Sequence, residues 1–428
     1  MNSEAKKRIK QLMNHKIPEG YKKYKDIIFP SDWSLSNLGD IVEYKKGFAF
    51  KSKEYCKKGI RIIRISDTTY NSIKDESPVY IPEDSEFNNS EYQLIEGDLI
   101  VSSVGSRPPL YESMVGKVIK VPKEVDGSLL NQNAIRLRGK NGYCQDYIYY
   151  HLKTSRYLDH IEASVRGNAN QVSITLDDLF KFVICIPTEA EQKCISKILS
   201  TWDQAIELKE KLIDEKKKQK TGLMQKLLTG KVRLPSFIGE WKEVKLGKVI
   251  REINDKTTEN NQYQVLTSSR QGIFLQEEYF NKSVASSNNI GYKIIKKGQF
   301  TYRTMSDDGS FKFNRLMEYE EGIVSPAYVV FETTKINPVF LMNLMNDYSF
   351  NKHIQKETQG GTRLSLKYNS LKEFVIKIPS IEEQDAIANV LNIVDKVIEL
   401  NQKELEKIKL QKKGLMQLLL TGIVRVNT

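Results

Sequence analysis

Two stretches of the chain each place ten seam residues at an average spacing of 3.5 positions. In the first, Ile195, Leu199, Trp202, Ile206, Lys209, Ile213, Lys216, Lys220, Leu223 and Leu227 alternate spacings of four and three. The second repeats this with Ile387, Leu391, Val394, Ile398, Asn401, Leu405, Ile408, Lys412, Leu415 and Leu419. This is the period of a helix that buries one narrow stripe against a partner helix. Each stretch starts after a proline (Pro187, Pro379) and stops near a glycine (Gly230, Gly422), as helix boundaries do. About 38 residues at ~1.5 Å rise give a helix roughly 57 Å long. A single seam would face water, and the nearest complementary seam is the other stretch. Antiparallel pairing sets Lys209 against Asn401 near the middle, with Trp202 and Val394 as further pairing positions. A polar pair there would penalise slipped alignments; the alternative is a point where the seam frays or meets another protein.

The residues ahead of each helix follow a different pattern. Short β-branched and aromatic runs (GIRIIRISD, GDLIVSSVG, SPAYVVFET) are separated by Gly, Asn, Asp and Ser clusters. This is strand-rich α+β texture with many loops. Helical patterning appears in YIYYHLKTSRYLDHI and FLMNLMNDYSF. Each block opens on a Trp and a Leu-Gly step (DWSLSNLGDIVEY, EWKEVKLGKVIRE) and closes on a strand entering the proline (LFKFVICIP, LKEFVIKIP). The expected division is a basic arm (1–30), a first globular domain (31–187), a central helix (188–235), a second globular domain (236–379) and a C-terminal helix (380–428).

These features are one unit present twice. The 48 residues beginning at Ile186 and at Ile378 align without a gap at an offset of 192, with 24 identities. The block interiors match only faintly, and the second is 16 residues shorter from Trp to Pro. Frames are kept while loops differ, and loops on a rigid scaffold are where recognition chemistry sits.

Charge changes this picture only slightly. Of the formal +12, Met1–Pro30 and Glu191–Arg233 each carry +5, Glu383–Arg425 carries +1, and the globular blocks are near neutral. Overall basicity is therefore weak evidence for a polyanionic partner, because a solvated surface explains it equally well. Cys56, Cys144, Cys185 and Cys194 are scattered without a CxxC pair, and there are four histidines. The expectation is a reduced, cytoplasmic protein without a metal site. No apolar run reaches membrane-span length, and the basic arm lacks the apolar core of a secretory signal. No P-loop of the form G-x-x-x-x-G-K-[ST] and no Asn/Asp-Pro-Pro-aromatic tetrapeptide is found; Ser325-Pro-Ala-Tyr is a loose echo of the latter.

A Trp-led variable domain that ends in a Pro–Glu-Gln helix with a GLMQ-LLTG tail, all present twice, resembles the specificity subunits of type I restriction-modification systems. The resemblance runs from about Pro30 to Arg425. It is carried by Glu191-Gln192 and Glu383-Gln384 and by Gly222-Leu223-Met224 and Gly414-Leu415-Met416, with KKGFAFKSKEY at Lys45 similar to an opening of the first recognition domain. The second block departs there, reading VLTSSRQGIFLQEEYF at Val265. The resemblance implies an α+β fold: two target recognition domains separated and joined by two long helices in an antiparallel coiled coil. It implies that each domain reads one half of an asymmetric bipartite double-stranded DNA target, that the helices dock two methylation subunits, and that restriction subunits complete the complex. No cofactor is expected in this chain; S-adenosylmethionine, ATP and magnesium are expected on the partner subunits. The rival readings are a coiled-coil scaffold with two ligand-binding domains not directed at DNA, and a nuclease or methyltransferase with a recognition domain attached.

Candidate DNA-contacting residues follow from the repeat. At the offset of 192, RGNANQVSI at Arg166 lies against QGGTRLSL at Gln359, aligning Gln171 with Arg363 and Asn170 with Thr362; Asn168 sits on the same turn. Gln and Asn suit the N6/N7 edge of adenine, and Arg suits the O6/N7 edge of guanine. The bland reading is a hydrated glycine turn before a core strand. Ser106 and Arg107 follow a strand and a Gly turn, and Arg303 and Lys312 occupy the roughly corresponding part of the second block. Lys45, Lys46, Arg270 and Gln271 are read as loop residues near the start of each domain; any of these is also readable as a solvated surface group. The arm KKRIKQLMNHK at Lys6 faintly echoes the tail KKGLMQLLLTG. It is readable either as packing beside the long helices or as a mobile extension.

Overall fold

The computed structural model describes residues 3–83, 89–108, 113–168, 171–280, 288–357 and 364–427. The chain forms two compact units, Met1–Leu208 with Leu405–Thr428, and Lys209–Glu404. Both expected long helices are present, a central helix Glu189–Leu227 and a C-terminal helix Ile381–Leu420, and each gives one half to each unit. Gly230 (φ +69°) and Gly422 (φ +68°) follow them in the left-handed conformation that ends helices.

In the first unit a four-stranded antiparallel sheet runs in the order Val42–Lys46, Ala134–Gly139, Leu99–Ser102, Val118–Lys120. Leu99, Val101, Ile135 and Leu137 bury one face against Tyr147, Ile148, Tyr157 and Ile161 from helices Gln145–His151 and Ser155–Ser164. The same core takes in Ile195 and Leu199 from the start of the central helix and Leu419 and Leu420 from the end of the C-terminal helix. The two helices therefore run antiparallel in this unit. Ser34–Asn37 pairs antiparallel with Val183–Ile186, which sets the opening Trp33 beside the start of the central helix.

The second unit repeats the plan with different residues. Its sheet order is Ile250–Ile253, Tyr328–Thr333, Phe300–Arg303, Asn314–Arg315, and Lys242–Lys245 pairs with Val375–Ile378. Phe300, Tyr302, Val329 and Phe331 pack on Phe340, Leu341, Phe350 and Ile354, together with Leu227 and Leu228 from the end of the central helix and Ile387 and Leu391 from the start of the C-terminal helix. Antiparallel pairing holds here too.

Every one of the twenty expected seam positions is buried or half-buried, while their neighbours are mostly exposed. The expected register needs correction. Lys209 Nζ lies 2.6 Å from Glu404 Oε2, and Asn401 Nδ2 instead donates to the Val397 carbonyl of its own helix at 2.6 Å. Lys209 is thus matched one turn further along than Asn401. Lys220 reaches Asp395 at 2.6 Å in the second unit, and Lys412 pairs with Asp203 in the first, in the same antiparallel sense. Trp202 and Val394 are half-buried at their seam positions.

The Glu-Gln step of the repeat is a structural tie. Gln192 Oε1 accepts from Cys144 N at 2.9 Å, and its Nε2 donates to the Pro187 carbonyl at 3.2 Å. Gln384 does the same with Asn337 N (2.9 Å) and Pro379 (3.0 Å). Glu191, 4% exposed at its side chain, accepts from Trp33 Nε1 at 3.2 Å and from Arg425. Glu383 is held by a bidentate Arg233 at 2.6 Å on both arms. The arm is also folded: Ser3–Met13 is helical, and Tyr21–Tyr24 pairs with Ile27–Pro30.

Candidate nucleic-acid interface

In the first unit, loops read separately in the sequence come together. The hairpin Arg166–Asn168/Gln171–Ser173 pairs on its inner side with Val104–Gly105, with Val172 opposite Gly105 and Ser173 opposite Val104. This sets exposed Gln171 alongside Ser106 and exposed Arg107. On its other side Gly105 lets the Ser113–Val115 segment lie close, because a Cβ there would lie 2.3 Å from the Ser113 carbonyl oxygen. Ser106 bridges to Met114, and its hydroxyl is 2.7 Å from that of Ser113. The backbone of Asn168 pairs with Gln171. Asn170, Thr362 and Arg363 fall outside the described residues, as does the side chain of Asn168.

The second unit builds the counterpart. Leu364–Ser365, directly after Arg363, pairs with Met305–Ser306, so Leu364 stands to Ser306 as Val172 stands to Gly105. Arg270 and Gln271 form the two-residue turn between Leu266–Ser269 and Gly272–Leu275, with Gly272 at φ +136°. From that turn Arg270 reaches Asp308 and the Ser310 hydroxyl, the latter at 3.0 Å. Gln271 is exposed, and its backbone N–H donates to Ser269 Oγ at 3.0 Å. Asp308 also accepts from Ser306 Oγ (3.0 Å), Ser310 N (3.1 Å) and Ser310 Oγ (2.8 Å). Arg270 and the serine hydrogen bonds hold the Asp308 carboxyl well below the usual carboxylate range. Arg303, exposed, ends the strand that leads into this loop.

Three placements differ from the expectation. Lys45 and Lys46 lie on the outer strand of the four-stranded sheet, not in a loop, because Val42–Lys46 pairs with Ala134–Gly139. Lys45 pairs with Glu91, lowering that carboxyl, and its ammonium lies 4.8 Å from the Tyr92 ring centre. By strand pairing, Arg303 corresponds to Ser102, so the counterpart of Ser106-Arg107 is Asp307-Asp308. Lys312 faces the long helices. Although the side chain is exposed overall, partial desolvation of its ammonium and the like charge of Lys220 lower its pKa, with Asp395 opposing them.

The sequence reading missed Asp308 and its serines, since nothing in their spacing marks a carboxylate that will meet a cation 38 positions away. It also missed Arg166, exposed on the hairpin and paired with Asp178 at 3.0 Å. Among the described residues no group of three or more His, Cys, Asp or Glu is placed to hold a metal, and no helix is long and apolar enough to cross a membrane.

Comparison with known proteins agrees with this duplicated design. Residues 30–217 and 238–410 each match the family described as Type I restriction modification DNA specificity domain. The type I restriction enzyme MjaVIII specificity subunit of Methanocaldococcus jannaschii is 27% identical over 463 aligned positions, spanning 97% of this chain and 98% of that protein. The putative type I restriction enzyme MjaX specificity subunit of the same organism is 28% identical, spanning 96% and 98%. In fold, the chain is similar to the S subunit of a type I restriction-modification system from M. genitalium (TM-score 0.53, 15% identity, 93% of this chain and 98% of that one). A chain solved in work on complex assembly and conformational transition of the type I R-M system gives a TM-score of 0.57 at 16% identity, covering 94% and 100%. With the matched domain present twice and the two long helices intact, the chain belongs to the family of type I restriction-modification DNA specificity subunits.

Proposed function

We propose that each globular domain (31–187 and 236–379) reads one half of an asymmetric, two-part DNA target for a type I restriction-modification enzyme. The observation that carries this is the recurrence of one arrangement in both units: a strand leaving a variable turn (Gln171–Ser173, Leu364–Ser365) pairs with the loop after a core strand. The scaffold is the same while the exposed groups differ, as expected of two readers of unlike half-sites. The long helices dock two methylation subunits, with restriction subunits joining the full complex in the cytoplasm. An outward apolar stripe of Ile393, Val397 and Leu400 on the C-terminal helix supports a protein partner there. Specificity subunits are generally non-catalytic, and this chain is read as carrying no catalysis alone; S-adenosylmethionine, ATP and magnesium belong to its partners.

Profiling adenine methylation in cells with and without the gene tests the reading, with a gained two-part motif as the expected result. Gln171→Ala and Arg363→Ala should each impair a different half-site, costing about 1–3 kcal/mol. Equal loss on target and random duplex for both variants would refute it. The near-neutral globular blocks favour a second reading, a scaffold for ligands other than DNA. Sequence-specific duplex binding in the presence of a methylation subunit would eliminate that reading.

A further inference from the structure

We infer that the N-terminal arm is a fixed, sequence-independent clamp for the DNA phosphate backbone, supplementing the two readers. Met1–Pro30 carries +5 of the chain's +12 in 30 of 428 residues. The charge is arranged by folding. On the helix Ser3–Met13, Ala5 is 1% exposed and Arg8, Ile9 and Leu12 are half-buried, while Lys6, Lys7 and Lys10 share the exposed face. Lys22, Lys23 and Lys25 stand exposed on the hairpin that follows.

The arm is tied to the first unit. Tyr21 Oη donates to the Gly422 carbonyl at 2.6 Å, the Arg8 guanidinium lies 5.7 Å from the Tyr21 ring centre, and Ile27 and Phe29 enter the core. A Cβ at Gly422 would lie 2.5 Å from Pro30 Cγ, so the hairpin sits directly on the end of the C-terminal helix. These lysines are therefore held in place before any partner arrives.

Their surroundings differ from those of two candidate cations at the readers. Lys45 and Arg270 each have a carboxylate, Glu91 and Asp308. Among the described residues, no carboxylate pairs with Lys6, Lys7, Lys10, Lys22, Lys23 or Lys25. Lys22 Nζ donates to the Ser31 carbonyl at 3.1 Å and lies over the Phe29 ring, and Lys25 lies over Tyr24. Asp32 feels the charge of Lys22 and Asp26 adjoins Lys25, but among the described residues none of the six ammonium groups is ion-paired, and their net excess of positive charge repels until a polyanion neutralises it. Lysine acts as a point charge on phosphate and needs no particular base, so such a set adds affinity without sequence preference. This inference rests on the reading of the chain as a DNA-specificity subunit.

The test uses the full chain assembled with its methylation subunits and a random-sequence duplex of about 40 base pairs, titrated over roughly 50–300 mM NaCl. Two variants are compared with wild type: Lys6→Gln/Lys7→Gln/Lys10→Gln and Lys22→Gln/Lys23→Gln/Lys25→Gln. Because each phosphate contact contributes about 0.9 to the slope of log affinity against log salt, each variant should flatten the slope by about 2–3 and leave half-site preference unchanged. Matching Lys→Arg variants should keep the wild-type slope, which separates charge from any effect on folding. Wild-type slopes in both Gln variants would overturn the inference. So would loss of assembly with the methylation subunits at an unchanged slope, which would make the surface a protein dock. A wild-type assembly that binds no duplex at all would instead defeat the DNA reading itself.

Discussion

Arg425 donates to Glu191 from Nε at 2.8 Å and from Nη2 at 3.0 Å, joining residues 234 positions apart. The pair lies in the first unit, and Glu383–Arg233 is its counterpart in the second. At the repeat offset of 192, Glu191 corresponds to Glu383 and Arg233 to Arg425. The glutamate of each copy is therefore clasped by the arginine of the other. Arg425→Ala leaves a carboxylate 4% exposed with, among the described residues, only the Trp33 indole as a donor. It should destabilise the first unit by about 2–4 kcal/mol in urea unfolding. Asp32→Ala, which removes the 63%-exposed partner of the same arginine, should cost under about 1 kcal/mol. Equal losses from the two substitutions would contradict this account.

Lys209 occupies a seam position and meets Glu404, whose side chain is 60% exposed. Such a pair contributes little, about 0.2–1 kcal/mol, whereas an apolar seam residue would bury area. Lys209→Leu should therefore raise the midpoint of thermal unfolding. A fall of several degrees would mean that the ion pair dominates at this point of the seam.

Arg270 and Asp308 make a functional prediction. If Arg270 meets phosphate, the anchored Asp308 carboxylate competes for it in the free protein. Asp308→Asn should tighten binding to a random duplex about 2–10-fold, and Arg270→Ala should weaken it by a similar factor. Fluorescence anisotropy with labelled duplex reads both, and unchanged affinity in both variants would place this turn outside the interface.

Lys153 makes stability depend on pH. Its Nζ donates to the Tyr70 carbonyl at 2.9 Å and to Asn71 Oδ1 at 3.1 Å. Desolvation first, then the like charge of Lys412, brings its pKa down to about 7 from 10.5. Between these values the unfolded chain holds a proton that the folded one has released, so this group's contribution to stability rises with pH across that window and is level below it. The stability of wild type relative to Lys153→Met should climb between pH 7 and 10 in paired urea titrations. Parallel curves would show that the lysine remains charged in the fold.

The long helices were legible residue by residue, because burial of one stripe imposes the period that reveals it. Their register was not. A 3.5-residue pattern looks the same after each turn, and the choice of Glu404 over Asn401 is made together with the clasps at the helix ends. Strand texture was visible in both blocks, but Lys45 was read as loop, since only its antiparallel pairing opposite Arg136 makes that segment a strand. The meeting of Gln171 with the Ser106 loop was equally hidden. It depends on a pairing across some 67 positions, Val172 with Gly105, that no local pattern announces.

The clasps also determine where the molecule tolerates change. Asp32, Trp33, Glu191 and Arg425 close one, and Arg233 and Glu383 close the other, all outside the stretches bounded by the pairs Ser34–Asn37/Val183–Ile186 and Lys242–Lys245/Val375–Ile378. What lies between those paired strands can change in length without touching a clasp residue, provided the backbone at Cys144 and Asn337 that Gln192 and Gln384 hold, and the face packed on the helices, are kept. Each globular domain hangs from the frame by one pair of strands, so its exposed loops can diverge while the fastening stays the same.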